Sequence, residues 1–398
     1  MTIGIIKEAK LHPDKRVALM PSQCVLLQKQ YHNLKILIEP SNIRIVNDEE
    51  YVKANLTLSI DLSKCDIIFG IKEVPPGKLI ANKKYLFFSH TIKKQPHNKL
   101  LLQTILQKNI QLIDYECLVD EKDNRIIGFG RFAGIAGAYN TIRLFGLKYA
   151  RFNLKPPELC EHKAELEKEL RKAKMGNIKI LVTGGGRVAN GALEILGAMK
   201  MRKVTPYEYL MFNYSEPVYA QIHSSDYHVH KENKPWNSEY FYDHPDEYNS
   251  SFAKFAAKTD LLLHCAFWDP KAPVLFTLED MAQTDFKIRV IGDITCDIGG
   301  SIPCTIEATT IEQPFYEWEQ YERQHVKGIT ENSISVMAVD NLPCSLPRDA
   351  SEAFGAELIS KVIPSLMKDV DDDLITRASI TKDGKLTERY KYLSAYIA

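Results

Sequence analysis

Short hydrophobic runs alternate with amphipathic and polar stretches along the first third of the chain. The runs have the length and composition of buried strands, and the stretches between them predict helices or polar connections. Strands are predicted at residues 2–6, 34–38, 67–71, 84–90 and 110–115. Helices are predicted from near residue 21, over residues 47–53 and over residues 96–107. This alternation is typical of an α/β fold with a parallel sheet.

The middle of the chain continues the alternation around a glycine-rich turn. Residues 178–193, IKILVTGGGRVANGAL, predict a buried strand, a turn and a helix that opens at about Val188. A second parallel sheet is expected. Its further strands are predicted at residues 217–222, 261–267 and 288–294. Residues 231–249, KENKPWNSEYFYDHPDEYN, are mostly polar and predict a solvated loop.

Two helical segments flank this region. Residues 125–150 hold an apolar helical pattern that Gly134, Gly137 and Ala138 interrupt, which predicts a helix packed closely against another backbone. After residue 338, the segment VDNLPCSLPRDASEAFGAELISKVIPSL predicts a turn and then a long amphipathic helix.

Titratable side chains follow three successive strands of the first part. Lys72 and Glu73 come after the strand at 67–71. His90 ends the next strand, and Glu116 follows the one after it. The carboxyl ends of parallel strands meet at one edge, where open α/β sheets bind ligands. Each residue alone has an ordinary surface role, but their recurrence favours a shared cleft.

The turn at residues 184–186 suits the pyrophosphate of a dinucleotide. Written as G-x-G-x-x-A, the match is Gly184, Gly186 and Ala189. Glycine permits positive φ and close approach of a ligand, and the helix N-terminus offers N–H groups to an anion. The next strand ends near Gln221, where dinucleotide folds usually place an acid for the ribose hydroxyls. Both NAD and NADP therefore stay open, with NAD slightly favoured.

Composition narrows the class of protein and of partner. The 398 residues suggest two or three domains, and 45% hydrophobic with 26% charged residues is ordinary for a soluble globular protein. Lysine plus arginine and aspartate plus glutamate both total 51, so we expect a small-molecule partner and no nucleic acid or membrane. The longest apolar runs fall short of the roughly 18 residues that a membrane helix needs.

Cysteine and histidine usage adds two expectations. The eight cysteines are scattered without a C-x-x-C pair, and the N-terminal residues MTIGIIKEAK lack a signal-peptide core. A reduced, cytoplasmic protein is therefore expected. His228 and His230 form an H-x-H pair, but no further ligand-type cluster has suitable spacing, so no metal site is expected.

Several motifs together resemble one enzyme superfamily. They are IKEAKLHPDKRVALMP, IIFGIKEVP, FFSHT, DYECL, RIIGFGRFAGIAGA and VDNLPCSLPRDAS. Over nearly its whole length the chain resembles the alanine dehydrogenase and pyridine-nucleotide transhydrogenase superfamily, on the branch of lysine-forming saccharopine dehydrogenase and lysine–ketoglutarate reductase. The resemblance implies an α/β fold of two Rossmann-like domains with parallel sheets and a cleft between them. Residues 1–135 and 330–398 would form the first domain, and a dinucleotide-binding domain of residues 136–329 would be inserted in it.

The resemblance also implies roles for individual residues. Lys72 and His90 match the acid/base pair of the superfamily. Glu73 and Glu116 match the carboxylates that tune this pair. Arg16, which position alone leaves open between a solvated surface arginine and a site residue, matches the residue that holds a substrate carboxylate.

Further residues join the expected sites. Asp297 matches the loop aspartate near the nicotinamide ribose, and Arg187 and Val188 extend the glycine turn of the expected cofactor site. Arg125 and Arg131, which bracket the start of the long helix, are candidates on the substrate side. Arg131 stands where the fungal enzymes are expected to have an uncharged aromatic residue, so it either faces the substrate or pairs on the surface.

The implied reaction converts saccharopine, water and NAD(P)+ to lysine, 2-oxoglutarate and NAD(P)H, reversibly. One alternative is oxidative deamination of a small amino acid, as in alanine dehydrogenase. Another is a dinucleotide-binding or sensor protein without turnover, although such a protein has no need of both Lys72 and His90. The sequence leaves open whether the protein is a monomer or a homo-oligomer.

Overall fold

The structure is a computed structural model that describes residues 1–9, 14–330, 332–368 and 372–398. The middle of the first motif, at residues 10–13, therefore lies outside the described residues. The chain divides into two compact units. The first unit comprises residues 1–129 and 347–398, and the second comprises residues 130–346.

The boundaries of these units differ from the expected positions at residues 135 and 330. The helix Gly130–Lys148 packs on the helix Arg187–Ala198 and so belongs wholly to the second unit. The strand Ser333–Met337 pairs with Val290–Asp293 of the second sheet, which moves the later boundary toward the C-terminus. Pairing between distant segments decides both positions, and the local composition does not show it.

The first unit is built on a six-stranded parallel sheet. Its strands are β1 (Thr2–Ile5), β2 (Lys35–Ile38), β3 (Thr57–Leu58), β4 (Ile67–Phe69), β5 (Lys84–Phe87) and β6 (Gln111–Asp114). Its first helices are α1 (Pro21–Gln30), α2 (Asp48–Lys53) and α3 (Lys99–Gln107). The strand order is β3-β2-β1-β4-β5-β6, so the winding reverses between β1 and β4. Open α/β sheets bind ligands at the carboxyl end of such a reversal.

Local sequence accounts for several of these elements. Each residue of β4 is buried, as an Ile-Ile-Phe run between two other parallel strands requires. The helix α2 begins with a capping box, in which Asn47 accepts from the Glu50 N–H at 2.9 Å and Glu50 accepts from the Asn47 N–H at 3.1 Å.

The second unit carries an eight-stranded sheet. Its helices are α4 (Gly130–Lys148), α5 (Lys163–Glu169), α6 (Arg187–Ala198), α7 (Pro206–Met211), α8 (Ser224–Tyr227), α9 (Ser238–Asp243), α10 (Ala253–Ala256) and α11 (Leu278–Met281). Its strands are β7 (Lys179–Thr183), β8 (Arg202–Lys203), β9 (Val218–Ile222), β10 (His228–His230), β11 (Tyr248–Ser250), β12 (Leu261–His264), β13 (Val290–Asp293), β14 (Phe315–Glu319), β15 (Gln324–Val326) and β16 (Ser333–Met337). The strand order is β15-β14-β16-β13-β12-β7-β9-β8.

Most strands of this sheet pair parallel, as expected, and one edge is antiparallel. The strand β14 runs antiparallel to both β15 and β16. It carries the buried Glu317, which accepts from the Ser333 hydroxyl at 2.6 Å and from the Lys148 ammonium at 3.3 Å. A charge inside a short apolar run argues against burial unless partners are supplied. Here the partners are Ser333 and Lys148, which belong to distant elements. The local sequence pattern therefore does not indicate this strand.

Glycines bring α4 and α6 into backbone contact, which confirms the close packing predicted from the interrupted pattern. A Cβ on Gly134 would lie 1.9 Å from the Val188 carbonyl oxygen. A Cβ on Gly191 would lie 2.0 Å from the Arg131 carbonyl oxygen. Among the helices of the described segments, α4 included, none combines the length and apolar character needed to cross a membrane.

The C-terminal part of the chain, residues 347–398, is called the returning segment because it completes the first unit. Its elements are α12 (Pro347–Lys361), α13 (Ile363–Leu366), α14 (Asp373–Ala378), β17 (Thr381–Lys382), β18 (Lys385–Leu386) and α15 (Ser394–Ile397). The Gln23 side chain of α1 donates to the Glu352 carbonyl at 2.7 Å, which ties α1 to α12. The Ile380 N–H donates to the Leu112 carbonyl at 2.8 Å, so the segment also caps the β6 edge.

The stretch expected to be a solvated loop is instead a small aromatic subdomain of the second unit. The strands β10 and β11 pair antiparallel, and Phe241 and Tyr248 pack edge to face with ring centroids 5.0 Å apart. Trp236 packs on Phe241 at 4.9 Å. Its rings bury one another only after the hairpin forms, so the intervening polar residues dominate the sequence pattern.

The two histidines of the H-x-H pair serve this subdomain. The His230 Nε2 lies 3.2 Å from the Glu247 Oε2, which joins the two strands of the hairpin. His228 is 8% exposed and packs between the rings of Tyr227 and Phe241. Within the described residues, no group of three or more His, Cys, Asp or Glu side chains is arranged to hold a metal ion.

Lowering the pH should reduce the free energy of unfolding of the second unit, because His228 is buried there. Burial lowers the pKa of His228 from 6.5 to about 4, although the Ser224 and Pro273 carbonyls oppose this. The unfolded chain then binds a proton near pH 6.5 that the folded chain takes up only near pH 4, so stability is lost as the pH falls through this window. Between pH 7 and pH 5 the loss should be on the order of 2 kcal/mol, measured by urea unfolding.

The variant His228→Phe should lose this part of the pH dependence, because phenylalanine binds no proton. The matched control is His97→Phe at an exposed histidine of the first unit, which should keep the wild-type slope. An unchanged slope in His228→Phe would show that the pKa of His228 is the same in the folded and the unfolded chain.

Candidate functional site

His90 and Glu73 form a close pair at the carboxyl edge of the first sheet. They follow the neighbouring parallel strands β5 and β4. The His90 Nδ1 lies 2.5 Å from the Glu73 Oε1, and the side chains are 17% and 15% exposed. His90 has a φ of +54°, in the left-handed region that few non-glycine residues adopt. Such constrained backbone is frequent at functional sites.

Hydrogen bonds to a buried carboxyl group hold the backbone at Lys72. Glu8, which follows β1, accepts from the Ile71 N–H at 2.7 Å and from the Lys72 N–H at 2.8 Å. Burial, with the nearby charge of Asp14, raises the pKa of Glu8 to about 8, and the two N–H bonds oppose the rise. Glu8 therefore links the end of β1 to the segment that carries Lys72.

A second buried carboxyl group organises the segments after β5 and β6. Asp114 accepts from the Ser89 N–H at 2.9 Å and from the Glu116 N–H at 2.7 Å, and it also bonds the Ser89 hydroxyl. Burial raises the pKa of Asp114 to about 6. The Asp114 side chain thus holds both Ser89, which precedes His90, and the predicted site residue Glu116.

Glu116 pairs with cations of the same unit. Its Oε1 accepts from the Arg125 Nη2 at 3.0 Å and lies 3.6 Å from the Lys93 Nζ. The Glu116 side chain is 6% exposed, whereas Arg125 and Lys93 are about half exposed. The structure therefore brings together two residues that the sequence named separately, Glu116 and Arg125.

Arg16 is buried, which rules out the reading as a solvated surface arginine. Its guanidinium forms a two-pronged pair with Asp14, at 3.0 Å from Nε and 2.6 Å from Nη2. It also lies 4.1 Å from the centre of the Phe129 ring. The ion pair and the ring contact together hold the guanidinium in one orientation.

Aromatic rings pack beneath these polar groups. Phe129 stacks on Phe354 of α12 at 4.5 Å, and Phe354 packs against Tyr115 at 5.0 Å. Phe88 joins Tyr115 at 5.1 Å and faces the His90 ring at 6.4 Å. The returning segment thus contributes directly to the support of Arg16 and His90.

A pocket of about 290 Å³ opens beside Lys72. Charged groups of both signs line it, among them Lys7, Glu39 and Lys78 in addition to Lys72. Aliphatic side chains, including Ile60, complete the wall. The pocket therefore suits a molecule that carries both charges on an aliphatic chain.

The glycine turn of the second unit lines a larger pocket of about 1140 Å³. Gly184 has a φ of +89°, and a Cβ there would lie 3.0 Å from the Ala266 Cα, so the turn requires glycine. A Cβ on Gly186 would meet no heavy atom within 4 Å, and no side chain caps the start of α6. Open space thus faces the helix N-terminus, as an anionic ligand requires.

The other predicted cofactor residues divide between the pocket wall and its support. Arg187, Val188 and Asp297 line the pocket. Ala189 is fully buried and supports helix packing. Gln221 holds the turn itself, since its amide donates to the Gly184 carbonyl at 3.0 Å.

The residues after β9 stand where an acid is usual. His223, Ser224 and Ser225 line the pocket there. Asp293, at the end of β13, acts as a turn cap, because it accepts from the Thr295 hydroxyl at 2.7 Å.

Arg131 belongs to the second unit. Its Nε and Nη2 lie 2.5 and 2.7 Å from the two carboxylate oxygens of Glu194 on α6. This two-pronged pair joins α4 to α6.

Comparison with known proteins shows the family to which the chain belongs. Residues 4–136 match the alanine dehydrogenase/PNT N-terminal domain, and residues 172–389 match the C-terminal domain of the same family. The chain belongs to the alanine dehydrogenase/PNT family. The resemblance drawn from the sequence motifs is therefore confirmed.

Two groups of curated relatives accompany the alanine dehydrogenase/PNT match. The mitochondrial alpha-aminoadipic semialdehyde synthase of Rattus norvegicus is 31% identical over 96% of this chain and 46% of its own length. The chain spans about half the length of these synthases. The saccharopine dehydrogenase [NAD(+), L-lysine-forming] of Neurospora crassa is 26% identical over 92% of this chain and 91% of its own length.

Solved structures confirm the α/β fold of this alanine dehydrogenase/PNT member. An L-alanine dehydrogenase aligns with a TM-score of 0.63 at 17% identity and covers both chains fully. A transhydrogenase from Sinorhizobium meliloti aligns with a TM-score of 0.57 at 13% identity, over 97% of this chain and all of its own.

Sequence reasoning missed several residues of the site in this family member. Glu8 follows a buried strand as Lys72 does, so the strand-end rule applied to β1 would have found it. Asp14 lies two residues before Arg16, and this spacing could have suggested it as the partner of Arg16. Phe354 gave no signal in the sequence, because it lies more than 200 positions after Phe129, the ring on which it stacks.

Proposed function

We propose that this protein is an NAD(P)-dependent dehydrogenase that acts on the C–N bond of an amino acid, most specifically saccharopine. The supporting observation is Lys72 held on backbone by Glu8, in the same unit and at the same sheet edge as the His90–Glu73 pair. The names of the relatives, saccharopine dehydrogenase and aminoadipic semialdehyde synthase, support the substrate.

The larger pocket fits a nicotinamide dinucleotide. Its pyrophosphate would lie against Gly184, Gly186 and the first N–H groups of α6, with Asp297 toward the nicotinamide ribose. When bound, NAD(P)+ supplies a hydride acceptor for the C–N carbon of the substrate. Residues 223–225 include no lysine or arginine, which favours NAD over NADP because a 2′-phosphate needs such partners.

Lys72 and His90 would move the protons of the reaction. Loss of hydride from the C–N carbon leaves an imine, to which water adds. A proton must then pass from oxygen to nitrogen before the C–N bond breaks to give the amine and the 2-oxo acid. A lysine and a histidine are suitable for these transfers, each typically contributing about 100- to 10,000-fold.

The substrate would bind at the remaining charged groups of the first unit. Arg16, held by Asp14, is placed to receive a carboxylate, and the mixed pocket beside Lys72 suits an amino-acid end with an aliphatic chain. Glu73 and Glu116 would set the charge around the proton-transfer groups.

Turnover assays test the proposal. Oxidation of NADH and of NADPH is followed with lysine plus 2-oxoglutarate, and separately with pyruvate plus ammonia. Activity with the first pair is expected. Activity with the second pair alone would identify an alanine dehydrogenase-like enzyme, and dinucleotide binding without any turnover would identify a sensor.

We also propose a cytoplasmic location. The eight cysteines are thiols rather than disulfides, and seven of them are buried. Reduced thiols are usual in that compartment. Fractionation of the source cells would test the location.

Gly184→Ala should weaken binding of NADH by about tenfold or more, because the new Cβ crowds Ala266 and the residue must keep a positive φ. The change is measured by titration of NADH fluorescence. The matched control is Gly328→Ala, since Gly328 also has a positive φ, of +81°, but has open space around it. Equal affinity in the two variants would show that the turn does not contact the cofactor.

A further inference from the structure

A buried histidine lies between two strands whose following segments line the larger pocket of the second unit. His264 is the last residue of β12 and is fully buried. Its neighbours across the parallel sheet are Thr183, the last residue of β7, and Asp293, the last residue of β13. Thr183 directly precedes the glycine turn. Asp293 directly precedes residues 294–305, called the β13 loop, which carries Asp297 and lines the same pocket.

Both ring nitrogens of His264 have a hydrogen-bond partner. The Nδ1 lies 2.8 Å from the Thr183 hydroxyl oxygen, and the Nε2 lies 2.8 Å from the Ser301 hydroxyl oxygen. The Thr183 hydroxyl oxygen also accepts from the Cys265 N–H at 3.1 Å, and Ser301 is buried. One imidazole therefore joins the residue before the glycine turn to the β13 loop.

The His264 ring is suited to be a fixed link in its neutral form. Burial lowers the pKa of His264, and the nearby charge of Asp293 opposes this. A neutral imidazole has one donor nitrogen and one acceptor nitrogen, and a hydroxyl group can match either of them. The two hydroxyl groups therefore satisfy the ring without a charge. A buried polar network that is fully hydrogen-bonded is rigid.

Asp293 fastens the β13 loop to its own strand. Its two carboxylate oxygens accept from the Thr295 hydroxyl at 2.7 Å and from the Thr305 hydroxyl at 2.6 Å. These two threonines lie near the two ends of the loop. Asp293 thus fixes the shape of the loop, whereas the His264 bond fixes the loop relative to β7.

The His264 bond reaches the part of the loop that carries Asp297. The Asp297 carbonyl accepts from the Gly300 N–H at 2.8 Å, and Ser301 follows directly. In the proposed complex the glycine turn contacts the pyrophosphate and Asp297 lies toward the nicotinamide ribose. Covalent bonds set the distance between these two parts of the cofactor, so the turn and Asp297 must keep a fixed separation to contact both.

We propose that His264 is a positioning residue of the reaction, which holds Asp297 at the correct distance from the glycine turn and so places the nicotinamide for hydride transfer. The inference rests on the proposed dinucleotide-dependent function. Because His264 is fully buried, it acts through the two segments that it joins. A displacement of about 1 Å in such a support can lower a rate by about 100-fold.

His264→Leu tests the link directly, because leucine is apolar and forms neither hydrogen bond. We expect kcat with lysine, 2-oxoglutarate and NADH to fall by about 10- to 100-fold. Fluorescence titration should find as many NADH sites per chain as in the wild type, with a similar affinity. His264→Gln should recover part of kcat, because its amide can still donate to Ser301. A purely structural role would reduce kcat and the number of NADH sites in the same proportion.

Ser301→Ala removes the other end of the link and is the smaller change. It should also lower kcat, and adding it to His264→Leu should cause little further loss, because the link is already broken. The matched control is Thr259→Val. Thr259 is fully buried just before β12, and its hydroxyl lies 2.9 Å from the Tyr209 hydroxyl. This variant should lose stability to urea but keep the wild-type kcat.

The outcomes distinguish this inference from the proposed function. Wild-type kcat in both His264→Leu and Ser301→Ala overturns the positioning role while the proposed function stands. Equal loss of kcat and of NADH sites, or an equal loss of kcat in Thr259→Val, also overturns it, because the effect would then be one of folding. If the wild-type protein shows no turnover with either substrate pair, the proposed function fails and this inference fails with it.

Discussion

Replacing Lys72 with methionine should lower kcat by about 100- to 10,000-fold, while the affinity for NADH stays close to that of the wild type. Methionine keeps much of the aliphatic bulk of lysine but moves no proton. Glu8 should still hold the backbone at this position, because it accepts from the Lys72 N–H rather than from the side chain. Steady-state rates with lysine and 2-oxoglutarate, together with fluorescence titration of NADH, provide the measurement.

His90→Ala should show the same separation of turnover from cofactor affinity. The control for both variants is Lys64→Met, which removes an exposed lysine of the same unit. A loss of kcat as large in Lys64→Met would indicate a general effect of the charge. Parallel loss of turnover and of NADH affinity in His90→Ala would mean that the histidine is structural.

Replacing Gly134 with alanine should destabilise the second unit by about 3 kcal/mol. The added Cβ would lie 1.9 Å from the Val188 carbonyl oxygen and 2.8 Å from the Ala192 nitrogen, both of which are backbone atoms. No rotation of a side chain relieves such a contact, so α4 and α6 must move apart. Urea unfolding monitored by circular dichroism gives the free energy of unfolding.

Gly197→Ala is the matched control for this substitution. Gly197 lies in α6 near its end, and a Cβ there would meet no heavy atom within 4 Å. Alanine is the better helix former by up to about 1 kcal/mol, so this variant should be as stable as the wild type or more so. Similar free energies of unfolding for the two variants would show that α4 and α6 are not in backbone contact.

The strand-end rule predicted which charged residues lie at the carboxyl edge of the first sheet. Lys72, Glu73, His90 and Glu116 were each placed after an apolar run, and the structure shows those runs as neighbouring parallel strands. The rule works because parallel strands share one carboxyl edge. It predicts which residues reach that edge, but it does not predict which of them pair. Glu73 lies against His90, whereas Glu116 lies against Arg125.

The local sequence pattern could not predict which polar groups are buried. Arg16 is 3% exposed because Asp14 and Phe129 receive its guanidinium, and Phe129 is in turn stacked on Phe354 of the returning segment. A charged side chain is buried only where partners compensate its desolvation. Those partners come from distant parts of the chain, so composition around Arg16 left its position undecided.

The sequence by itself determined the α/β class, the glycine turn and the set of charged residues at strand ends, because these depend on local periodicity and on glycine's freedom at positive φ. Only the tertiary structure decided the unit boundaries, the pairing of the charged groups and the aromatic subdomain at residues 228–250. Each of these depends on contacts between residues far apart in the chain, which hydrogen bonding and ring packing select only once the chain has folded.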